Sequence, residues 1–123
     1  MPKILVVDDE PGVVVFLREF LAHRGYGVAV AYDGAEALRR VREDPPHLML
    51  LDVRMPGLDG LEVLQRAKAL RPQLGIIMVT AAHDVEIAKE AIRLGADDYI
   101  TKPIDLGYLE ISVLAKTLNR LGS

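Results

Sequence analysis

The hydrophobic and polar positions along the chain divide it into short apolar runs and longer amphipathic segments. The clearest apolar run covers residues 48–51, has no polar alternation, and ends abruptly in Asp52 ahead of the turn-forming Pro56 and Gly57. An unbroken run of this kind is typical of a central parallel strand that helices cover on both faces. The pattern therefore presents the Asp52 carboxylate at the carboxyl end of a buried strand, where open α/β sheets bind their ligands.

Four further apolar runs are strand candidates, and an amphipathic stretch follows every run. Strands are predicted at residues 4–7, 28–31, 76–79 and 99–101, and the last helix is predicted from about residue 106 to 121. Strands that alternate with helices imply a parallel sheet with right-handed crossovers. Five such units favour an α/β fold with an open, doubly wound sheet over a closed barrel, which needs eight.

The helical periodicity also predicts which side chains face the core. The first helix is expected to run to about His23 and to bury one face, formed by Val14, Leu17 and Leu21. In the fourth helix, Asp84 is expected to cap the amino terminus, because a carboxylate there can accept a bond from a free backbone amide. The inward-facing residues of that helix are predicted to be Val85, Ala88 and Ile92.

Composition narrows the functional classes. The 123 residues are expected to form one domain over residues 1–123, and the net charge of -3 offers no basic surface for nucleic acid. The absence of cysteine excludes disulfides, thiolate catalysis and cysteine-bound metals. No apolar run approaches the ~20 residues of a membrane span, and the first residues do not resemble a signal peptide. A cytoplasmic protein without membrane contact is therefore expected.

Polar side chains follow four of the predicted strands. Because the carboxyl ends of parallel strands meet at one edge of the sheet, we expect Asp8, Asp9, Asp52, Thr80 and Lys102 to lie close together. Clustered carboxylates repel one another unless a cation joins them, and hard oxygen ligands are those that Mg²⁺ prefers. A fixed ammonium and a hydroxyl could then orient a phosphoryl group while a carboxylate attacks it in line.

Four segments in this order resemble the receiver domain of bacterial two-component response regulators. They are ILVVDDE at residues 4–10, LLDVRMPGLDG at 50–60, MVTA at 78–81 and GADDYITKP at 95–103, and the resemblance covers essentially the whole chain. It implies a flavodoxin-like (βα)5 receiver fold with a five-stranded parallel sheet in the order 2-1-3-4-5. It also implies a signalling switch rather than an enzyme that turns over a separate substrate.

The resemblance assigns a role to each polar residue at the sheet edge. Asp52 would be the phosphoacceptor, and its phosphodonor would be a sensor histidine kinase or a phosphotransfer protein. Mg²⁺ would be held by Asp9 directly, by Asp8 through water, by Asp52, and by the backbone carbonyl of Arg54. Lys102 would pair first with the acceptor carboxylate and then with the phosphoryl oxygens.

Two more residues would transmit the signal if the resemblance holds. Thr80 would bond to the phosphoryl group, and Tyr99 would change rotamer as Thr80 is drawn inward. This step would bias a two-state surface formed by the fourth helix, the fifth strand and the fifth helix.

The residues alone leave other functions open. An Mg²⁺-dependent phosphatase or phosphotransferase with an aspartyl nucleophile would use the same carboxylate, although no second acid follows Asp52 closely and the 123 residues include no cap domain. A nucleotide-binding module is disfavoured because neither GxGxxG nor GxxxxGK[ST] is present. A receiver used purely for interaction is disfavoured by the intact set of acids, hydroxyl and lysine.

The last helix carries two apolar stripes, which is more than one sheet face should require. The stripe that would face the sheet comprises Leu106, Leu109 and Val113. The second stripe comprises Ile111, Leu114, Leu118 and Leu121. A rotated helix would bury the second stripe as core. Otherwise Ile111, Leu114 and Leu118 stay partly exposed and form a candidate interface for a homodimer or an output domain.

Overall fold

A single five-stranded parallel sheet forms the centre of the computed structural model, which describes residues 2–122 except for the side chains of residues 119–122. The strands are β1 (Lys3–Val7), β2 (Gly27–Ala31), β3 (Leu48–Asp52), β4 (Gly75–Ala81) and β5 (Asp98–Lys102). All neighbouring strands pair in parallel, in the order β2-β1-β3-β4-β5. The predicted fold class and strand order are confirmed.

A helix follows each strand. The helices are α1 (Pro11–His23), α2 (Gly34–Glu43), α3 (Gly60–Leu70), α4 (Val85–Arg93) and α5 (Leu106–Gly122), and a single 3-10 turn, η1 (Ala82–Asp84), precedes α4. Local chemistry explains where several of them begin. Pro11 opens α1, where a missing N–H costs nothing, and the side chains of Asp33 and Asp59 accept bonds from the first turns of α2 and α3.

Two apolar clusters form the core, one on each face of the sheet. Side chains from α2, α3 and α4 pack on one face, and side chains from α1 and α5 pack on the other. All five residues of β3 are buried, as the unbroken apolar run predicts for a strand covered on both faces. The predicted inward face of α1 is also confirmed, since Val14, Leu17 and Leu21 are buried.

The loop from β3 to α3 folds tightly back onto the end of β3. A Cβ atom on Gly60 would lie 2.6 Å from the carbonyl oxygen of Asp52 and 2.7 Å from Cα of Val53. The Gly60 amide donates to the Val53 carbonyl oxygen at 2.8 Å, and Gly57 turns the loop with a φ of 80°. Only glycine allows this approach at residue 60, so α3 begins directly against the backbone that carries Asp52.

Two predictions about α4 are wrong. Ile92 is 40% exposed rather than inward, because the buried face of this helix runs through Ala88 and Ala91, and Ile92 lies roughly 100° further round. Asp84 occupies the position before α4, but its side chain makes no capping bond to the helix. That carboxylate is instead bound to Arg54, which lies in the neighbouring loop after β3 at the same edge of the sheet.

The second apolar stripe of α5 is not part of the core. Ile111, Leu114 and Leu118 are 68%, 49% and 59% exposed, whereas Leu109 and Val113 are fully buried against the sheet. The alternative of a rotated helix is therefore wrong for these residues, and the side chain of Leu121 lies outside the described part of the chain. None of the helices within residues 2–122 is both long enough and apolar enough to cross a membrane.

Candidate functional site

One lysine is shared by three carboxylates at the carboxyl edge of the sheet. The Nζ atom of Lys102, at the end of β5, lies 3.4 Å from Oδ2 of Asp8, 3.5 Å from Oδ2 of Asp52 and 3.7 Å from Oε1 of Glu10. Asp8 and Asp52 are only 2% and 7% exposed. The structure therefore brings together Asp8, Asp52 and Lys102, which the sequence predicts to lie close together at this edge.

Backbone amides fix the second oxygen of each buried carboxylate. The Glu10 amide donates to Oδ1 of Asp8 at 2.9 Å, and the Arg54 amide donates to Oδ1 of Asp52 at 3.1 Å. Each acid consequently has one oxygen held by the chain that follows its strand and the other oxygen turned toward Lys102. This arrangement orients both carboxylates.

The charges at this edge change the protonation of the site. Burial, followed by repulsion from Asp8, raises the pKa of Asp52 to about 6, and the Arg54 amide and Lys102 only partly oppose this rise. Burial by itself would lower the pKa of Lys102, but the neighbouring carboxylates outweigh it and the pKa lies above its ordinary value. The lysine therefore stays charged, and the acid site carries more negative charge than one ammonium balances.

A group of carboxylates beside Lys102 could hold a metal ion. Asp8, Asp9 and Glu10 each place one carboxylate oxygen within 4.8 Å of the others, with Asp8 buried and the other two exposed. Hard oxygen donors with room for water suit Mg²⁺. Sequence reasoning did not include Glu10 in the site, although it is the third acid of one continuous run.

Asp52 and Arg54 are also expected metal ligands, and both line a cleft beside these acids. This cleft of about 220 Å³ is bounded by Asp9, Glu10, Asp52, Arg54, Ala81, Asp84 and Lys102. Mg²⁺ takes carboxylate oxygens and keeps several waters, so it needs carboxylates beside open space, and the residues present fit that requirement. The cleft also leaves a route by which a second molecule could reach Asp52.

Among the described residues, neither Thr80 nor Tyr99 has a hydrogen bond to the acids of the site. Thr80 is fully buried near the end of β4, and its hydroxyl donates to the carbonyl oxygen of Ala81 at 2.9 Å. Tyr99 is half-buried on β5 and packs against the core cluster that α2, α3 and α4 cover. Their expected roles in transmitting a signal stay predictions.

An ion pair between Arg54 and Asp84 closes one side of the cleft. Nε of Arg54 donates to Oδ2 of Asp84 at 2.7 Å, and Nη2 donates to Oδ1 at 2.8 Å. Hydrogen bonding from Arg54 lowers the pKa of the Asp84 carboxyl, and the same contact raises the pKa of Arg54. Sequence reasoning missed this pair because Asp84 had a complete local explanation as a helix cap.

Comparison with known proteins decides the family. The family model described as a response regulator receiver domain matches residues 4–113. The chain belongs to the response regulator receiver family. Receivers of this family act in two-component systems as phosphorylation-controlled switches, and the acid cluster of this receiver is of the kind at which the family generally binds Mg²⁺.

Two similar proteins are named as transcriptional regulatory proteins. The receiver is 46% identical over 107 residues to the transcriptional regulatory protein ZraR of Salmonella typhimurium. The matched segment covers 87% of this chain but 24% of ZraR. It is also 44% identical over 101 residues to the alkaline phosphatase synthesis transcriptional regulatory protein PhoP of Bacillus subtilis. That match covers 82% of this chain and 42% of PhoP. The chain thus spans less than half the length of these relatives.

Solved structures show the same fold. A response regulator receiver domain protein from Clostridium thermocellum superposes with a TM-score of 0.93 at 29% identity, over 98% of this chain and 97% of that one. A CheY-like receiver domain protein from Methanospirillum hungatei gives a TM-score of 0.93 at 30% identity, over 99% and 98% of the two chains. The receiver fold is therefore shared over almost the full described length.

The raised pKa of Asp52 predicts how pH changes the stability of the metal-free receiver. A native pKa of about 6 against 3.8 means that the folded state binds the proton more tightly. Protonation of Asp52 thus favours folding at low pH, and this contribution is lost as the pH rises through about 6. With EDTA present at about pH 8, Asp52→Asn should raise the free energy of unfolding by up to about 3 kcal/mol, less solvent screening.

Urea unfolding of both proteins across this pH range measures the effect, and the carboxyl carbon shift of Asp52 follows the titration directly. The advantage of the variant should shrink as the pH falls below about 6. A stability difference that does not change with pH would show that the charge of Asp52 is not the cause.

Proposed function

We propose that this receiver accepts a phosphoryl group on Asp52, with Mg²⁺ bound, from a sensor histidine kinase or a phosphotransfer protein. The observation that carries the proposal is the position of the Asp52 carboxylate, buried at the end of the central strand and 3.5 Å from an ammonium shared with Asp8. A structural carboxylate would gain stability from a dedicated partner. Here the acids outnumber the cation, which suits a site that receives further charged groups.

The transfer consists of one displacement at phosphorus. An oxygen of the ionised Asp52 carboxylate attacks the phosphorus of a phosphohistidine, a P–O bond forms, and the P–N bond breaks with its electrons passing to the imidazole, which takes a proton from solvent. Lys102 offsets the negative charge around the phosphoryl oxygens. The Arg54 amide keeps the carboxylate aimed along its present direction through the bond to Oδ1.

The metal site of this proposal uses Asp8, Asp9, Asp52 and the backbone carbonyl of Arg54. When bound, Mg²⁺ would neutralise the acids and polarise the phosphoryl group. Glu10 is an additional candidate, because its carboxylate is within 4.8 Å of those of Asp8 and Asp9.

The proposed output passes through Thr80 and Tyr99 to the surface of α4, β5 and α5. The Thr80 hydroxyl bonds only to the carbonyl of the next residue among the contacts described for it, so a phosphoryl oxygen could replace that acceptor. Thr80 follows Val79, which pairs with Asp52 across β3 and β4. A shift of Thr80 would open space toward Tyr99 on the neighbouring strand, where Met78 is its partner in register.

The partner that donates the phosphoryl group must bind beside the acid cleft. An apolar cleft lined by Gly12, Val13, Phe16, Lys102, Pro103 and Ile104 adjoins it through Lys102. Phe16 is 52% exposed there and offers an apolar contact to an incoming helix. The phosphohistidine of the donor is formed at the expense of ATP. The proposed function therefore implies that the receiver acts in the cytoplasm.

The exposed stripe of Ile111, Leu114 and Leu118 is the proposed contact with a second receiver or an output domain. Three neighbouring large apolar side chains on one helix are more than isolated surface residues. The proposal treats residues 1–123 as one receiver without turnover of a separate substrate.

Phosphorylation is tested with acetyl phosphate and Mg²⁺, followed by intact mass spectrometry. The wild type should gain about 80 Da, the mass of one phosphoryl group, and Asp52→Asn should gain nothing because it lacks the nucleophile. Asp59→Asn is the matched control, since Asp59 lies in the same loop and asparagine preserves its capping role. An adduct on another residue at the wild-type rate would remove Asp52 from its role, and turnover without an adduct would favour the phosphatase alternative.

Mg²⁺ should stabilise the receiver because it relieves repulsion among the acids. A metal at about one hundred times its Kd adds roughly 2.7 kcal/mol to the free energy of unfolding. Asp9→Ala should raise the stability of the metal-free protein and lose most of this gain, whereas Glu43→Ala, at the far end of α2, should keep it. Identical denaturation curves with and without Mg²⁺ in the wild type would contradict the proposed metal site.

The apolar stripe is tested with Leu118→Glu by sedimentation, with and without beryllofluoride as a phosphoryl mimic. Because Leu118 is 59% exposed, the variant should keep its thermal stability and lose self-association. Leu70→Glu is the control, since Leu70 is 39% exposed at the end of α3. A wild type that stays monomeric in both states would rule out the homodimer, and a large loss of stability would mean that Leu118 is core.

A further inference from the structure

Arg54 is attached to two parts of the receiver at once. Its backbone amide donates to Oδ1 of Asp52 at 3.1 Å, while its guanidinium forms the two bonds to Asp84. Asp84 is the last residue of η1 and directly precedes α4. One residue therefore connects the proposed phosphoacceptor to the start of a helix on the proposed output surface.

The two members of this ion pair have very different exposure. The side chain of Arg54 is 64% exposed, whereas that of Asp84 is 5% exposed. The arginine can consequently leave without repacking its surroundings. If Asp84 lost the arginine in its present position, it would become a buried carboxylate with a much weaker contact, namely the exposed imidazole of His83, whose Nε2 lies 3.8 Å from Oδ1.

Arg54 lines the cleft at which a phosphoryl group would arrive. Arg54, Asp52, Asp84 and Lys102 line the same cleft. A phosphoryl group brings up to two negative charges and three acceptor oxygens, which the planar fork of an arginine can bind in pairs. Lys102 is already shared among three carboxylates, so the added charge favours recruitment of a second cation.

We propose that Arg54 exchanges partners when Asp52 is phosphorylated. Its guanidinium leaves Asp84 and binds the phosphoryl oxygens, and Asp84 then moves toward solvent and carries the first turn of α4 with it. The inference rests on the proposed phosphorylation of Asp52. It differs from the proposed movement of Thr80 and Tyr99, because the signal reaches α4 through the β3–α3 loop rather than through β4 and β5.

The exchange is tested by a double-mutant cycle on beryllofluoride binding in the presence of Mg²⁺. Asp84→Asn frees Arg54 at nearly constant volume and should tighten binding about tenfold, whereas Arg54→Gln removes the new contact and should weaken it about tenfold. In the Arg54→Gln background, Asp84→Asn should change the affinity by less than about twofold, because the two effects share one arginine. Arg54→Lys, which keeps the charge and loses the fork, should fall between wild type and Arg54→Gln.

Glu90→Gln is the matched control, because it breaks another arginine–carboxylate pair, with Arg93, on the same helix but away from the cleft. It should leave the affinity unchanged. The Nε–H signal of Arg54 in ¹⁵N spectra gives a second measurement that does not depend on variants. This signal should move when beryllofluoride binds the wild type. In unliganded Asp84→Asn, it should already differ from the signal of the unliganded wild type, in which Arg54 is paired with Asp84.

Three results would overturn the exchange. They are an unchanged affinity in Arg54→Gln, an effect of Asp84→Asn that persists in the Arg54→Gln background, and an Arg54 signal that does not move on binding. Failure of the proposed function looks different, because the wild type would then form no adduct on Asp52 with acetyl phosphate. An adduct in the wild type with an unmoved Arg54 therefore rejects the exchange alone.

Discussion

The structure depends on a concentration of like charge that the fold itself imposes. Asp8 and Asp52 lie at the carboxyl ends of adjacent strands of the sheet, and both are almost fully buried. Burial of unpaired carboxylates is expensive, and repulsion between them adds to the cost. β4 lies between β3 and β5, so only a long side chain at the end of β5 can reach both acids. Lys102 meets that requirement, with its ammonium within 3.5 Å of each.

This balance of charges explains why the site favours binding of a further cation. One ammonium faces three carboxylates, and the pKa of Asp52 stays near 6 despite that ammonium and a backbone donor. Additional positive charge at the cleft would favour the ionised nucleophile. The same positive charge would offset a dianionic phosphoryl group. Binding of a cation and reactivity toward phosphorus therefore depend on the same electrostatic attraction in the cleft.

The sequence predicts the fold and the acid site for identifiable reasons. β3 is recognisable because all its residues are apolar up to Asp52, and the site follows because parallel strands end at one edge. The Arg54–Asp84 pair joins residues 30 positions apart on two loops, and it depends on loop conformations that periodicity does not encode. The prediction that Ile92 faces inward is wrong for a related reason, since two alanines bring α4 close to the sheet and define its inward face.

The two helices of the proposed output surface are attached to the sheet through different kinds of contact. α5 buries Leu109 and Val113, and it is tied to β5 by Asp98, which accepts bonds from the hydroxyls of Tyr108 at 2.6 Å and Ser112 at 2.8 Å. The Tyr108 bond is strong enough to raise the pKa of that phenol to about 12.

α4 buries smaller side chains than α5 does. It spans nine residues, and its fully buried side chains are the alanines at positions 88 and 91, which contribute little apolar area. Its first turn is anchored through Asp84, whose strong partner is a largely exposed arginine. Small buried side chains contribute less apolar area to hold a segment in place, and such segments open at lower free energy. A change at Asp52 should therefore move α4 first, while α5 keeps its apolar stripe in a fixed orientation for whatever binds it.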